Sequence, residues 1–239
     1  MTIPTPCNLL IIDTETSGLD PAVDKVVELA AILYSVDHQT ILHQMSSICE
    51  AQENGAEHIN RIPIDALRST NALLETRSIS LFEAMAQEAN FIVAHNADFD
   101  KQWFVGEAGK ALFNRETQRP LRWLCTMSDF TWPQQNRQGD SLINLALAHG
   151  IGVSSAHRAL ADCQLIAALF DRVSKEELVL MLSEALVPRY LYEANVSYEN
   201  RQLAKDVGFK WQSDKRQWVR KLTDAQANLL NFPVTLAAA

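Results

Sequence analysis

Long apolar runs are missing from this 239-residue sequence: none approaches the roughly 20 residues that cross a bilayer, which excludes a helical membrane span. The opening MTIPTPCNLLIID has no basic flank and its apolar run stops at Asp13, so no secretory leader is expected and the cytosol is the default address. Cysteine is scarce. The four residues at 7, 49, 125 and 163 show no paired or metal-ligand spacing. Neither a disulfide framework nor a zinc site is expected, and each reads as a small buried hydrophobe in a reducing compartment. Positive charge is also short. Against 29 Asp and Glu stand 21 Lys and Arg, a formal −8 that opposes binding of nucleic acid by bulk electrostatics. What is there, 47 % hydrophobic and 21 % charged residues, suits a globular chain with one domain of about 150–190 residues and a small appendage.

CNLLIIDTE (7–15) is apolar on both pleat faces and reads as a central strand covered on both sides. VVELAAILYS (26–35) and TILHQMSSI (40–48) read as a hairpin or meander beside it. A helix is expected over Leu81–Ala89, opened by a Ser80/Glu83 capping box, followed by the strand FIVAH (91–95). Further expectations are a helix over Phe99–Phe113, a strand LRWLCT (121–126), and a helix SLINLALAH capped by Asp140 and stopped by Gly150. Helices over His157–Val173 and Lys175–Leu186 complete this part. Composition changes after Pro188. We therefore expect two domains, 1–187 and 188–239, the second a small α+β module with a strand YLYEANV, a helix ENRQLAKDVG and a hairpin FKWQ-SDKR-QWVR. The final three alanines are expected to fray.

Three constellations of acids stand out. Asp13 and Glu15 are two residues apart, so a strand that continues to Glu15 places both carboxylates on the face of Leu9 and Ile11. Two anions at the end of a buried strand raise each other's pKa or recruit a cation. For this pair by itself, a strand that ends at Asp13 and a solvated turn before Gly18 is the simpler account. In His95-Asn96-Ala97-Asp98-Phe99-Asp100, after the strand FIVA, Asp98 is well placed as a helix N-cap and Asp100 would lie one turn inside. Asp162 shares the apolar stripe of Leu165, Ile166 and Leu169 and faces the core. His157, five residues earlier and so about 140° round a regular helix, can join it only from the first turn or the preceding loop. Taken alone, it reads as a solvent-exposed residue near a helix start. Several acidic groups without cysteine or paired histidine specify an oxygen-preferring cation, magnesium or manganese.

DTETSGL, HNADFD and HRALADC, in this order over residues 7–175, resemble the three motifs of the DEDDh 3′–5′ exonucleases, the group that includes proofreading epsilon subunits. The resemblance implies an α/β, ribonuclease-H-like fold, a mixed five-stranded sheet flanked by helices. It implies that Asp13, Glu15, Asp100 and Asp162 bind two Mg2+ or Mn2+ ions, with Asp13 bridging them, and that His157 is the general base. A tyrosine at 158 would mark the tyrosine subgroup; this chain has Arg158. Thr14, Thr16, Ser17, Gly18, Leu19, Asn96 and Phe99 would contact the terminal nucleotide, with Leu19 as an apolar wedge. Where many members carry a His-Gly-Ile turn, this chain has Asn60-Arg61-Ile62, with His58 out of step, so no substrate contact is carried over there. The activity implied is trimming of DNA 3′ ends, single-stranded or duplex, in a chain that could be a homodimer. The competing readings are a 3′–5′ exoribonuclease acting on RNA and a non-catalytic nucleic-acid-binding adaptor; the intact acids argue against the adaptor.

Residues 201–221 hold seven Lys and Arg against two Asp, a net +5 in a chain that is otherwise acidic. Lys210, Trp211, Lys215, Arg216, Trp218 and Arg220 are candidates for a platform that stacks bases and binds phosphates. The plainer account makes both tryptophans the core of a small module whose charges are merely solvated.

Overall fold

The computed structural model describes residues 3–105, 113–114, 119–135, 139–155 and 157–237. Up to residue 187 the strands are Asn8–Thr16 (β1), Val26–Ser35 (β2), Thr40–Ile48 (β3), Phe91–Ala94 (β4), Phe113–Asn114 (β5), Arg119–Pro120 (β6) and Arg122–Cys125 (β7). The helices are Glu57–Asn60 (α1), Ile64–Arg68 (α2), Ala72–Gln87 (α3), Ala97–Lys101 (α4), Leu142–Ala148 (α5), Ala159–Phe170 (α6) and Lys175–Ala185 (α7). Five strands form one mixed sheet of order β3-β2-β1-β4-β7. β1 is antiparallel to β2 and parallel to β4, which is parallel to β7.

β1 is apolar on both faces because both are covered. Leu9 and Ile11 pack with Ile32, Val93 and the buried residues of α6 and α7. Leu10 and Ile12 pack with Leu33, Ile92 and the Phe82, Met85 and Ala86 face of α3. Each face thus supplies its own apolar cluster, the pattern expected of a strand buried in an α/β sheet. The Cys163 thiol approaches the Ile11 and Ala30 carbonyls at 3.8 and 3.7 Å, so a small side chain lets α6 lie close upon β1 and β2.

Beyond residue 187 lie Tyr190–Ala194 (β8), Arg201–Asp206 (α8), Lys210–Gln212 (β9), Gln217–Leu222 (β10), Asp224–Asn228 (α9) and Val234–Leu236 (β11). They form a four-stranded sheet of order β11-β8-β10-β9 over a separate apolar cluster that includes Ala204, Phe209, Leu222 and Phe232. Arg189, at the junction, donates to the Asp129 carbonyl at 2.8 Å and faces the Asp129 carboxylate at 3.6 Å.

Several local expectations are corrected. α3 begins two turns before Leu81: Asn71 Oδ1 accepts from the Leu73 and Leu74 amides, while Ser80 sits inside the helix and donates to the Thr76 carbonyl. Ser141, not Asp140, caps α5, its Oγ accepting from the Asn144 amide. α4 ends at Lys101 and Phe113 lies in a strand, so one helix over Phe99–Phe113 does not form; residues 106–112 lie outside the described ones. All four cysteines are free, but Cys49 and Cys125 are only partly buried. No helix among the described residues is long and apolar enough to cross a membrane. Of the terminal alanines, 238 and 239 fall outside the description.

Candidate active site

β4 is much shorter than β1. It pairs with Leu9, Leu10 and Ile11 through Phe91, Ile92 and Val93, and β1 then runs on to Thr16, beyond the carboxyl end of its parallel neighbour. Because β1 stays a strand through Glu15, Asp13 and Glu15 emerge together on the α6 face, at the carboxyl end of the parallel strands where α/β sheets hold ligands. Asp162, from the first turn of α6, meets them there: carboxylate oxygens of Asp13, Glu15 and Asp162 all lie within 4.8 Å of one another. The solvated-turn account of Asp13 and Glu15 is thereby set aside.

Asp100 is buried and fills a different need. Past the end of β4 the Thr14 amide has no partner from that strand, and Asp100 Oδ1 accepts from it at 3.0 Å and from Thr14 Oγ1 at 2.9 Å. Asp98, two residues earlier on α4, is exposed and pairs with Lys221. The choice between the two aspartates is decided by these partners: Asp100 turns inward and Asp98 outward.

Burial, and then the neighbouring carboxylates of Asp100, Asp162, Glu15 and Glu28, hold Asp13 well above the ordinary carboxylate range. Burial with Asp162 and Glu28 alongside pushes Glu15 up to about 8, against the pull of Arg158. Burial raises Asp100 to about 7 despite its Thr14 hydrogen bonds. Asp162 is also raised by burial, opposed by His157, whose backbone N–H donates to its carboxylate. Hard oxygen donors crowded at this separation, each resisting ionisation, fit a divalent oxygen-preferring cation.

His157 is exposed and precedes α6 with φ 60°, so it stands in the loop, as its spacing from Asp162 requires. Glu28 holds this loop. It lies opposite Glu15 in the β1–β2 ladder, is buried, and accepts from Arg158 Nε at 2.9 Å, Arg158 Nη2 at 3.1 Å, the Ala159 amide at 3.2 Å and Ser46 Oγ at 2.8 Å. Sequence reasoning missed it, although a lone acid within VVELAAIL was a visible signal. Asn60, also missed, is fully buried and donates to the Thr16 carbonyl at 3.2 Å, bracing the turn after β1. His95 lies between Thr126 Oγ1 and the Asp140 carbonyl, and burial pushes it down to about 4, a neutral structural residue.

Thr14, Thr16 and Ser17 are buried and their hydroxyls bond internally, to Asp100, the Gly18 carbonyl and Asp24. Leu19 is 80 % exposed at the rim. Phe99 is half-buried against Trp103, and Asn96 is exposed, standing before the first residue of α4 with φ 66°. Gly18 makes room for a neighbouring carboxylate: a Cβ there would lie 2.3 Å from Asp24 Oδ2. Gly18→Ala must drive that carboxylate from Ser17 Oγ and the Asp20 amide. The expected cost is about 1–2 kcal/mol, measured by urea denaturation; an unchanged midpoint would show that the turn adapts freely.

In the C-terminal module Trp211 and Trp218 face each other across β9 and β10 with ring centroids 5.4 Å apart. Trp211 is exposed, whereas Trp218 is packed partly against the module's core. Lys210, Lys215 and Arg216 are exposed. Arg220 is turned inward, donating to the Val207 carbonyl, and burial lowers its pKa.

Comparison with known proteins bears on the family and the fold. The Exonuclease family matches residues 10–170, and a domain family of unknown function matches residues 190–237. DNA polymerase III subunit epsilon of Treponema pallidum is 29 % identical over 161 residues, covering 66 % of this chain and 72 % of that protein. The solved structure of Exonuclease X in complex with 5′ overhanging duplex DNA aligns with TM-score 0.50 and 25 % identity over 74 % of this chain and 99 % of the other. E. coli Exonuclease I with a dT13 oligonucleotide shares the fold at TM-score 0.55 and 20 % identity, covering 84 % of this chain and 50 % of that one.

Proposed function

This chain belongs to the exonuclease family, and from that premise we propose that it is a divalent-metal-dependent 3′–5′ exodeoxyribonuclease that removes nucleotides from DNA 3′ ends. The observation that carries this reading is the meeting of the Asp13, Glu15 and Asp162 carboxylates at the end of β1, beside His157. Asp13, Glu15 and Asp162 would hold the cation, with Asp100 supporting a second. Bound cations supply Lewis-acid stabilisation of the attacking and leaving oxygens of a phosphodiester. His157 takes the proton of the attacking water, its main chain fixed by Asp162 and its loop by Glu28 through Arg158 and Ala159. Leu19, 80 % exposed just beyond β1, offers an apolar surface to the terminal base, and Phe99 and Asn96 at the start of α4 would contact the same nucleotide. The DNA held by the Exonuclease X relative supports DNA as the substrate.

The test uses 5′-labelled single-stranded DNA, duplex DNA and RNA with magnesium, with chelator, and with Asp13→Ala. A product ladder on DNA that needs magnesium and Asp13 is expected. A ladder on RNA alone makes the chain an exoribonuclease; no ladder on any substrate leaves a nucleic-acid-binding adaptor.

Metal-free stability should depend on pH in a defined direction. Glu15 is held at about 8 against an ordinary 4.5, so between these values the folded chain keeps a proton that the unfolded chain has released. Stability is therefore fully present below the lower value and is lost as pH rises through the upper one. Melting of the metal-free chain should fall from pH 5 to pH 8, and the gain on adding magnesium should be larger at pH 8 than at pH 6. Equal gains at both would dissociate the cation from these acids.

A further inference from the structure

A cleft of about 400 Å³ lies between the two sheets, with Asn96 and Asp98 on one wall and Lys210, Trp211 and Lys221 on the other. A second groove of about 360 Å³ crosses the module past Tyr198, Arg216 and Trp218, and Trp211 lines it as well. Trp211 is therefore a ridge shared by two adjoining grooves. It is 49 % exposed and Tyr198 74 %. The Arg201 guanidinium sits 3.8 Å over the Tyr198 ring. α4 joins the first cleft to the acid site: Asp98 and Asp100 lie about 200° apart round the helix, Asp100 bonding Thr14 and Asp98 pairing with Lys221 across the cleft.

We propose that the C-terminal module grips single-stranded nucleic acid, the strand 5′ of the end being trimmed running through the cleft and over Trp211 into the adjoining groove, with a phosphate against Lys210 and bases against Trp211 and Tyr198. The proposal rests on the exonuclease reading of the acid site for the strand's direction only. Exposed aromatic faces beside basic side chains suit unpaired bases, because each base has a face to stack and none is already paired within a duplex. The basic stretch 201–221 supplies attraction that the acidic remainder of the chain lacks. Arg220 takes no part, since its guanidinium is engaged with Val207.

The experiment measures fluorescence anisotropy of 5′-fluorescein dT20 and of a 20-base-pair duplex with the full chain in chelator, where hydrolysis is stopped. Wild type should bind dT20 more tightly than the duplex. Trp211→Ala should weaken dT20 binding about tenfold, Trp211→Phe should retain it, and Lys210→Ala should reduce the slope of log affinity against log salt by about 0.7. Unchanged dT20 affinity in both alanine variants, no measurable wild-type binding, or equal binding of duplex would overturn the proposal. Trp211-dependent dT20 binding without a product ladder in magnesium supports the grip and refutes the exonuclease reading, so the two fail separately.

Discussion

Asp13→Asn is expected to lower the rate of hydrolysis by at least about 10³-fold while making the metal-free chain more stable at pH 8. The first effect follows from losing a cation ligand: several kcal/mol of transition-state stabilisation depend on it, and each 1.36 kcal/mol is about tenfold in rate. The second follows from the same crowding. Asp13 is held above the ordinary range by burial and by four neighbouring carboxylates, so a neutral amide of the same shape removes a repulsion that otherwise needs a bound proton or a cation to relieve it. Single-turnover hydrolysis and thermal melting in chelator read the two effects. A variant that loses activity and also melts lower would make Asp13 a structural residue.

His157→Ala is expected to slow turnover by about 10²–10⁴-fold, the usual contribution of a positioned acid or base, with little change in metal-dependent DNA binding. The backbone at this position is left-handed, φ 60°, and alanine is poorly suited to it. His157→Asn is the needed companion, since asparagine accepts that conformation and still lacks an imidazole. Both variants should lose turnover alike. Loss of binding in proportion to loss of rate, or normal turnover in His157→Asn, would remove the histidine from the chemistry.

Much of the catalytic domain was legible because its signals are local. β1 is apolar on both faces and is buried on both; the distance from His157 to Asp162 demands a loop, and the loop is there. Misreadings arose where one local pattern had two outcomes. Ser80 and Glu83 have capping-box spacing, but Asn71 caps the helix earlier and exposed Leu73 and Leu74 hide its first turns from an amphipathic count. Asp140 and Ser141 are both good caps, and only geometry chooses Ser141. Glu28 and Asn60 escaped for another reason: their partners Arg158 and Thr16 lie far along the chain, and no periodicity reports a contact of that kind.

The clasp between Glu28 and Arg158 joins residues 130 apart. Closing so long a loop costs entropy before the contact returns any stabilisation, so this part of the site forms late in folding. During synthesis at roughly 5–20 residues per second, on the order of ten seconds separate the two residues. A nascent chain arrested between Asp100 and His157 already carries Asp13, Glu15 and Asp100 but neither His157 nor Asp162. Under the proposed roles of these residues, such a chain cannot cut nucleic acid until α6 has been made.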